Sequence, residues 1–343
     1  MPARLSEVAA LAGVHPATAS RALNEATRNK VSADTVLKVR RAAEQLNYSP
    51  NPAARSLVTN RTSTVGVIIG DLTVPLFPPL LRGVDDVTSA AGYTALIVNT
   101  DNDWSRELAR IAALQARRVD GLIVATATSG DQADPRIWSS VAPTVFVVRA
   151  PADPLAPTVL SDDSMGVHLA VEHLVAQGHR RIAHVAGPPE ISTATARLRA
   201  YREALFERGI EVDPALVTTM DSISADAGTE ALGRLLDSGA GVTAVLAFND
   251  IVAYGCYRAV RQRGLRCPED ISIVGYSDMN GADLVAPPLT TVHVDHQAMG
   301  AEAARMLLGM LSDPGARPPH SVRLPVSLTV RESTAPPRQG VPR

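Results

Sequence analysis

MGVHLAVEHLVAQG (Met165–Gly178), followed after two basic-flanked residues by RIAHVAG (Arg181–Gly187), decides the fold. A helical stretch stops at Gly178, and basic residues feed a short strand. The same wording recurs on both sides. Toward the C-terminus TAVLAFND (Thr243–Asp250) and ISIVGYSD (Ile271–Asp278) read as strands, with ARLRAYREALFERG (Ala196–Gly209) and IVAYGCYRAVRQRG (Ile251–Gly264) as helices. Toward the N-terminus TVGVIIG (from Thr64), TALIVN (from Thr94), DGLIVA (from Asp120) and TVFVV (from Thr144) are strands, separated by PPLLRGVDDVTSAAG and ELARIAALQARR. Strands alternating with helices predict parallel sheets covered on both faces, hence an α/β core of two doubly wound lobes of similar size. The final stretch, Pro287–Glu332, carries one more helix (His296–Leu311) and an extended run VRLPVSLTV that is expected to pack back across both lobes.

The first 47 residues read differently, as three short helices. Leu5, Val8, Ala9 and Ala12 fall at helical spacing and Gly13-Val14 breaks the run. Pro16–Leu23 forms the second piece, and Thr35–Leu46, with Ser32 as N-cap and Val36, Val39, Ala43 and Leu46 on one face, closes a small core. Charge separates this segment from the rest. Residues 1–61 hold nine basic side chains against four acids, a net of +5, while the remaining 24 basic and 31 acidic groups leave −7 on the body. A basic module on an acidic body suggests a polyanionic partner for the module alone, the alternative being a solvated helical face.

The chain has 343 residues, 45% of them hydrophobic, which excludes a disordered or collagen-like protein. No apolar run reaches the roughly 18 to 20 residues of a spanning helix, and the N-terminus carries an acid and breaks at Gly13 before any secretory core. A cytoplasmic protein without a membrane partner is expected. Cys256 and Cys267 have no CxxC or histidine neighbour and are read as ordinary thiols, with no metal or cofactor implied. GxGxxG after a first strand, GxxxxGK[ST], GxSxG and HExxH are all missing, so no catalytic residue is assigned and an enzyme is disfavoured. A solute-binding protein of the periplasmic type would match the core but leave residues 1–61 without a task, and an RNA binder would need more exposed aromatics than Tyr48.

LSEVAALAGVHPATASRALN (Leu5–Asn24) has the wording of a helix-turn-helix with Pro16 at N1, although a purely structural helical hairpin would read alike. As a DNA reader its second helix presents His15, Pro16, Ala17, Ser20 and Arg21 outward, with Ala19 and Leu23 inward. Arg21 can donate two hydrogen bonds to guanine, and Thr18, Ser20 and Asn24 would hold phosphates. After it, NPAARSL (Asn51–Leu57) predicts a short helix capped by Asn51 with Pro52 at N1. So short a helix does not stand alone in water. It makes sense if it orders on DNA and on a second copy, with Leu57 wedging into a minor-groove step; the plainer reading is a linker with an exposed leucine.

Nine strings in order, EVAALAGV…ATASRALN, VSADT, LNYSPNPAARSL, RVDGLIV, EHLVAQGHRRIAHVAGP, FNDIVAYG, PEDISIVGYSD, PPLTTV and VRESTAPP, resemble the lactose/galactose-repressor (LacI/GalR) family of bacterial transcription regulators over nearly the whole chain. The resemblance implies a repressor by family habit, with a DNA-binding headpiece at 1–49 and a hinge helix and linker at 50–61. It implies a two-lobed effector-binding and dimerisation core at 62–332, acting as a homodimer on double-stranded operator DNA. Lobe 1 is expected over 62–161 and 291–320, lobe 2 over 162–290 and 321–332, and a disordered tail over 333–343.

By family position, Pro16, Ala17 and Arg21 read the major groove and Leu57 intercalates beside Ala54. His15 departs from the serine usual before the recognition helix, which weakens the expected N-cap. The effector, a sugar by family habit with a nucleoside, polyol or organic acid open, is expected outside the carboxyl ends of the strands. There the resemblance points to Leu76, Phe77, Thr193, Arg197, Phe248, Asn249 and Ser277. Two departures bear on it. Ser277 stands where the family commonly has an aspartate and Ile223 where some sugar-binding members have an aromatic, so a carboxylate and a stacking ring are expected to be lost. Arg197 could instead make a surface salt bridge, and Asn249-Asp250 could cap the next helix.

Overall fold

The computed structural model describes residues 3–24, 27–48, 61–128, 134–313, 315 and 319–338. Contacts divide the chain into two compact units, Met1–Ser63 and Thr64–Arg343. The expected hinge helix over 50–61, with its N-cap Asn51 and the DNA-binding positions Ala54 and Leu57, falls outside the described residues.

In the first unit α1 (Leu5–Leu11), α2 (Pro16–Leu23) and α3 (Ala33–Gln45) enclose a core of Val8, Ala9, Ala19, Ala22, Val39, Ala42 and Ala43. Alanines at the crossings let the helices approach closely, and Leu23 packs against this core from its edge. Gly13 turns the chain between α1 and α2 at φ +68°, and Ser32 caps α3 by accepting the Thr35 N–H at 3.3 Å.

The second unit contains two six-stranded sheets. The first runs β11 (Ser321–Leu324), β5 (Thr158–Ser161), β4 (Thr144–Val147), β3 (Gly121–Val124), β1 (Thr64–Ile69) and β2 (Thr94–Asn99), all parallel. The second runs β12 (Val326–Thr329), β10 (Thr290–Val294), β9 (Ser272–Ser277), β8 (Ala244–Ala247), β6 (Ile182–Ala186) and β7 (Val217–Thr219), parallel except for β12. Both faces are covered, as continuous apolar strands require. Val65, Val67 and Ile69 enter one core while Ile68, Leu122 and Val124 enter another on the opposite face. The helices, in chain order, are α4 (Phe77–Ala90), α5 (Trp104–Ala116), α6 (Arg136–Ser139), α7 (Asp163–Ala176), α8 (Ser192–Glu207), α9 (Ala225–Asp237), α10 (Asp250–Gln262) and α11 (His296–Ser312). Among the described residues no helix is long and apolar enough to cross a membrane.

Three expectations about the C-terminal third need correction. Residues 291–294 were expected in the first lobe, but Thr290–Val294 is a strand of the second sheet, in parallel register with β9. The chain crosses over only after it, where α11 docks on α4. Gly83 and Gly300 make that docking possible, because a Cβ on either would lie 2.0 Å from a backbone carbonyl of the facing helix. Residues 321–324 were expected in the second lobe, yet Ser321–Leu324 pairs with β5 of the first, and the chain changes sheets at Pro325, which has no N–H to continue a ladder. The tail is ordered from Ser333 to Arg338. Ser333 Oγ donates to the Ile273 carbonyl at 2.6 Å and accepts the Thr290 N–H at 2.8 Å, and Ala335 is bonded to Ser272 Oγ and to His179 Nε2. His173 Nε2 also meets Thr334 Oγ1 at 2.9 Å, so His173 and His179 both anchor this tail.

Candidate functional site

The first candidate surface is the outer face of α2. His15, Pro16, Ala17, Ser20 and Arg21 are exposed, Thr18 and Asn24 are half-buried, and Ala19 and Ala22 fix the helix from below. The histidine does not weaken the N-cap as expected. Its Nδ1 accepts the Ala17 N–H at 3.2 Å, the task a serine oxygen performs elsewhere. That bond leaves the ring proton of neutral His15 on Nε2, so a donor is presented at the start of the helix whose next two residues, Pro16 and Ala17, offer no side-chain donor. Arg21 is held at the backbone, where its carbonyl accepts from Thr27 Oγ1 at 3.1 Å, and its side chain is exposed.

The second candidate site is a cavity of about 750 Å³ between the two sheets of the core, and all seven residues expected to touch an effector line it. Leu76 and Phe77 open α4 just after β1. Thr193 and Arg197 lie on α8, Phe248 and Asn249 follow β8, and Ser277 ends β9.

Arg197 is not a surface residue. Its Nε bonds to Asp163 at 3.0 Å, its Nη1 to the Phe248 carbonyl at 2.7 Å, and its guanidinium carbon lies 3.6 Å from the Tyr276 ring centroid and 5.0 Å from that of Phe248. A planar cation bonded on two sides and set against two rings in this way is held in place before any ligand arrives. Asn249 fills both roles considered for it, capping α10 by accepting the Val252 N–H at 3.0 Å while lining the cavity. Asp250 instead points into the lobe, accepting from Thr291 Oγ1 and the Met279 N–H, both at 2.6 Å, and burial pushes its carboxyl up to about 7. The hydroxyls of Thr193 and Ser277 face the cavity with no hydrogen-bond partner among the described residues.

Backbone strain marks both walls. Ser277 stands at φ +108°. Val148, a β-branched residue, stands at φ +68°, where the Arg149 N–H returns to the Val147 carbonyl at 2.7 Å and closes a γ-turn. Each such residue costs of order 1 to 3 kcal/mol and persists only where its surroundings enforce it.

The first lobe supplies what Ser277 and Ile223 were expected to cost the site. Trp104 and Trp138 bring rings, meeting edge to face at 5.9 Å, and Glu107 brings a carboxylate. Glu107 Oε1 accepts from Trp138 Nε1 at 2.9 Å and Thr126 Oγ1 at 2.7 Å, and burial raises its pKa despite both bonds. Arg149 lines the same wall, its pKa lowered by burial against the fields of Glu107 and Glu190. Arg149 and Thr126 follow strands TVFVV and DGLIVA, so the carboxyl-end rule applied to those two strands would have found them. Glu107 and Trp138 lie on helices and are brought in by packing alone. His296 begins α11 at the cavity edge, and burial pulls its imidazole down to about 4.

The lacI family of bacterial regulatory proteins matches residues 4–51, and a periplasmic binding protein-like domain matches residues 171–334. The ribose operon repressor of Escherichia coli (strain K12) is 34% identical over 314 residues, covering 91% of this chain and 94% of that protein. Among solved structures, the Lac repressor dimer bound to operator and the anti-inducer ONPF superposes with a TM-score of 0.85 at 29% identity, over 98% of this chain and 100% of that one. The transcriptional regulator CelR in complex with cellobiose gives 0.74 at 32% identity, over 96% and 99%. The chain belongs to the lacI family of bacterial regulatory proteins, DNA-binding transcriptional regulators.

Proposed function

We propose that the protein is a repressor that binds a pseudo-palindromic operator as a homodimer in the cytoplasm, and that a sugar or closely related metabolite held between its lobes switches that affinity. The exposed face of α2 contacts the DNA. Arg21 reads a base edge, His15 donates from Nε2, Pro16 and Ala17 make apolar contact, and Thr18, Ser20 and Asn24 hold the backbone. In the cleft Arg197, Asn249, Thr193 and Ser277 bind ligand oxygens, and Leu76, Phe77 and Phe248 cover apolar faces. The names of its relatives, a ribose operon repressor and a cellobiose-bound regulator, support this class of effector.

One observation carries the reading: the cavity is walled by residues that follow strands of both sheets, so one ligand touches two bodies. The bodies are joined where the chain passes from β5 to α7, from β10 to α11 and from β11 to β12. Short crossings of this kind act as hinges. A ligand that prefers one lobe arrangement shifts the population toward it, and about 5.5 kcal/mol of preference gives a nearly complete switch.

The test begins by selecting duplexes from a random library and measuring their binding by fluorescence anisotropy. Arg21→Ala is expected to lose about 1 to 3 kcal/mol of discrimination between selected and random DNA. A sugar that raises the melting temperature of the wild type is expected to change the anisotropy-derived affinity, and to lose its effect in Arg197→Ala and in the milder Thr193→Val. A ligand that stabilises both variants as well as the wild type would place its site elsewhere and defeat the cleft reading.

A further inference from the structure

The cleft wall is acidic. Five carboxylates line it, Asp71, Asp101 and Glu107 from the first lobe and Glu190 and Asp221 from the second, against the two guanidiniums Arg149 and Arg197. His296 adds no charge near neutral pH, because its imidazole is held at about 4.

The charge of each guanidinium is already matched by carboxylates of the protein. Arg197 is neutralised from behind by Asp163 and spends Nη1 on the Phe248 carbonyl. Arg149 lies in the combined field of Glu107 and Glu190, so a phosphate approaching it must also approach two carboxylates. On the acidic side Asp101 is paired with Arg106. Asp71 accepts only neutral donors, the Thr73 N–H at 2.8 Å and the Thr73 hydroxyl at 2.7 Å, and no cation pairs with Asp71 or Asp221 among the described residues. One unmatched carboxylate thus stands on each lobe. Thr193 and Ser277, residues only 6% and 5% exposed, line the same cavity with hydroxyls that have no hydrogen-bond partner among the described residues and are open to a polar ligand. Trp104 and Phe248 add ring surfaces, which attract cations as well as the apolar faces of a sugar.

We propose that the effector is a carbohydrate-sized molecule bearing a protonated amine, an amino sugar or amino polyol whose ammonium is received by the unmatched carboxylates Asp71 and Asp221, and that the cleft rejects phosphorylated and carboxylated sugars. The proposal rests on the cleft being the effector site. An ammonium received by carboxylates of opposite lobes ties the two lobes together and so couples ligand charge to lobe closure. A hydroxyl in the same place bonds to either acid but leaves both charges uncompensated.

The test titrates the full-length protein by calorimetry with pentoses, hexoses and disaccharides matched in neutral, amino and phosphorylated forms, such as D-glucose, D-glucosamine and D-glucose 6-phosphate. At low salt the amino form of a binding sugar is expected to bind about tenfold more tightly than its neutral parent, and raising the salt to about 0.5 M should shrink that preference. The double variant Asp71→Asn, Asp221→Asn keeps the oxygen that holds the Thr73 turn and is expected to remove the preference while still binding the neutral form. Phosphorylated forms should not bind. Equal binding of amino and neutral forms, binding of a phosphorylated form, or a preference that survives the double variant overturns the charge proposal, and loss of that binding in Thr193→Val then shows that the cleft reading survives it. Binding by no member of the panel, or binding untouched by Thr193→Val, overturns both.

Discussion

In the first lobe the strands run β11-β5-β4-β3-β1-β2 and in the second β12-β10-β9-β8-β6-β7, one plan repeated with its last strand reversed in the second. The two cleft walls built on that plan are fixed by different forces. The second lobe holds its wall by charge, with Arg197 bonded to Asp163 and layered on Tyr276. The first holds its wall by ring packing, with Trp138 at 5.9 Å from Trp104 and 5.5 Å from Phe146 while its indole N–H orients Glu107. A shared topology therefore places positions at the mouth of the cleft but leaves open what makes them rigid. Ionic fixation is costly to break on one side only, whereas packing fails in proportion to the volume removed.

The most severe way to break the contrast is Asp163→Ala. It strands a guanidinium that is 6% exposed, and a loss of about 3 to 5 kcal/mol in urea denaturation is expected. A loss below about 1 kcal/mol would mean that Arg197 does not depend on its partner, and the lobes would not differ as described.

Acid titration is expected to come next in size. His184, buried against Tyr201 in the second lobe, is held down to about 4 from 6.5, as is His296. Their folded values lie below the unfolded one, so the stability they contribute is present above pH 6.5 and is lost as pH falls through 4. Asp250 has the opposite sign: raised from 3.8 to about 7, it contributes below 3.8 and loses that contribution as pH rises through 7. His184→Phe keeps a ring against Tyr201 and should remove up to roughly 3 kcal/mol of the change between pH 6.5 and 4. Asp250→Asn should steepen that change. Melting temperatures across the range check both, and an unchanged acid limb in His184→Phe would contradict the burial of that imidazole.

Trp138→Phe sharpens the first-lobe side. It keeps most of the packing but removes the indole donor from Glu107, and a loss of about 1 to 3 kcal/mol is expected, with weaker ligand binding beyond what the stability change explains. An equal loss in Trp138→Phe and Thr126→Val would indicate that Glu107 needs both donors. The smallest effect belongs to the headpiece. His15→Ala should cost about 1 kcal/mol and His15→Ser almost nothing, since either native imidazole or serine oxygen can accept the Ala17 N–H. Thermal melts of the headpiece transition distinguish the two.

The sequence by itself determined the α/β core and the helical headpiece, because these rest on local periodicity; the family rested on nine strings matched in order, and that resemblance, with a rule about strand ends, pointed to the cleft residues that follow β1, β6, β8 and β9. Pro16 at N1, Ser32 as N-cap and Gly13 at the break were legible because capping and turns are settled within a few residues. Tertiary structure alone decided the rest. That Thr290–Val294 belongs to the second sheet and Ser321–Leu324 to the first depends on which partner strand offers a free edge, and no local pattern records that. That Ser333–Arg338 is ordered depends on the Ile273 and Thr290 backbone waiting beside it. Glu107 and Trp138 reach the cleft because helices pack there, and Arg197 became a buried, bonded group because Asp163, 34 positions away in the chain, was folded against it. Hydrogen bonds and ion pairs between distant residues carry no periodic signature, so they exist for the reader only once the chain has closed on itself.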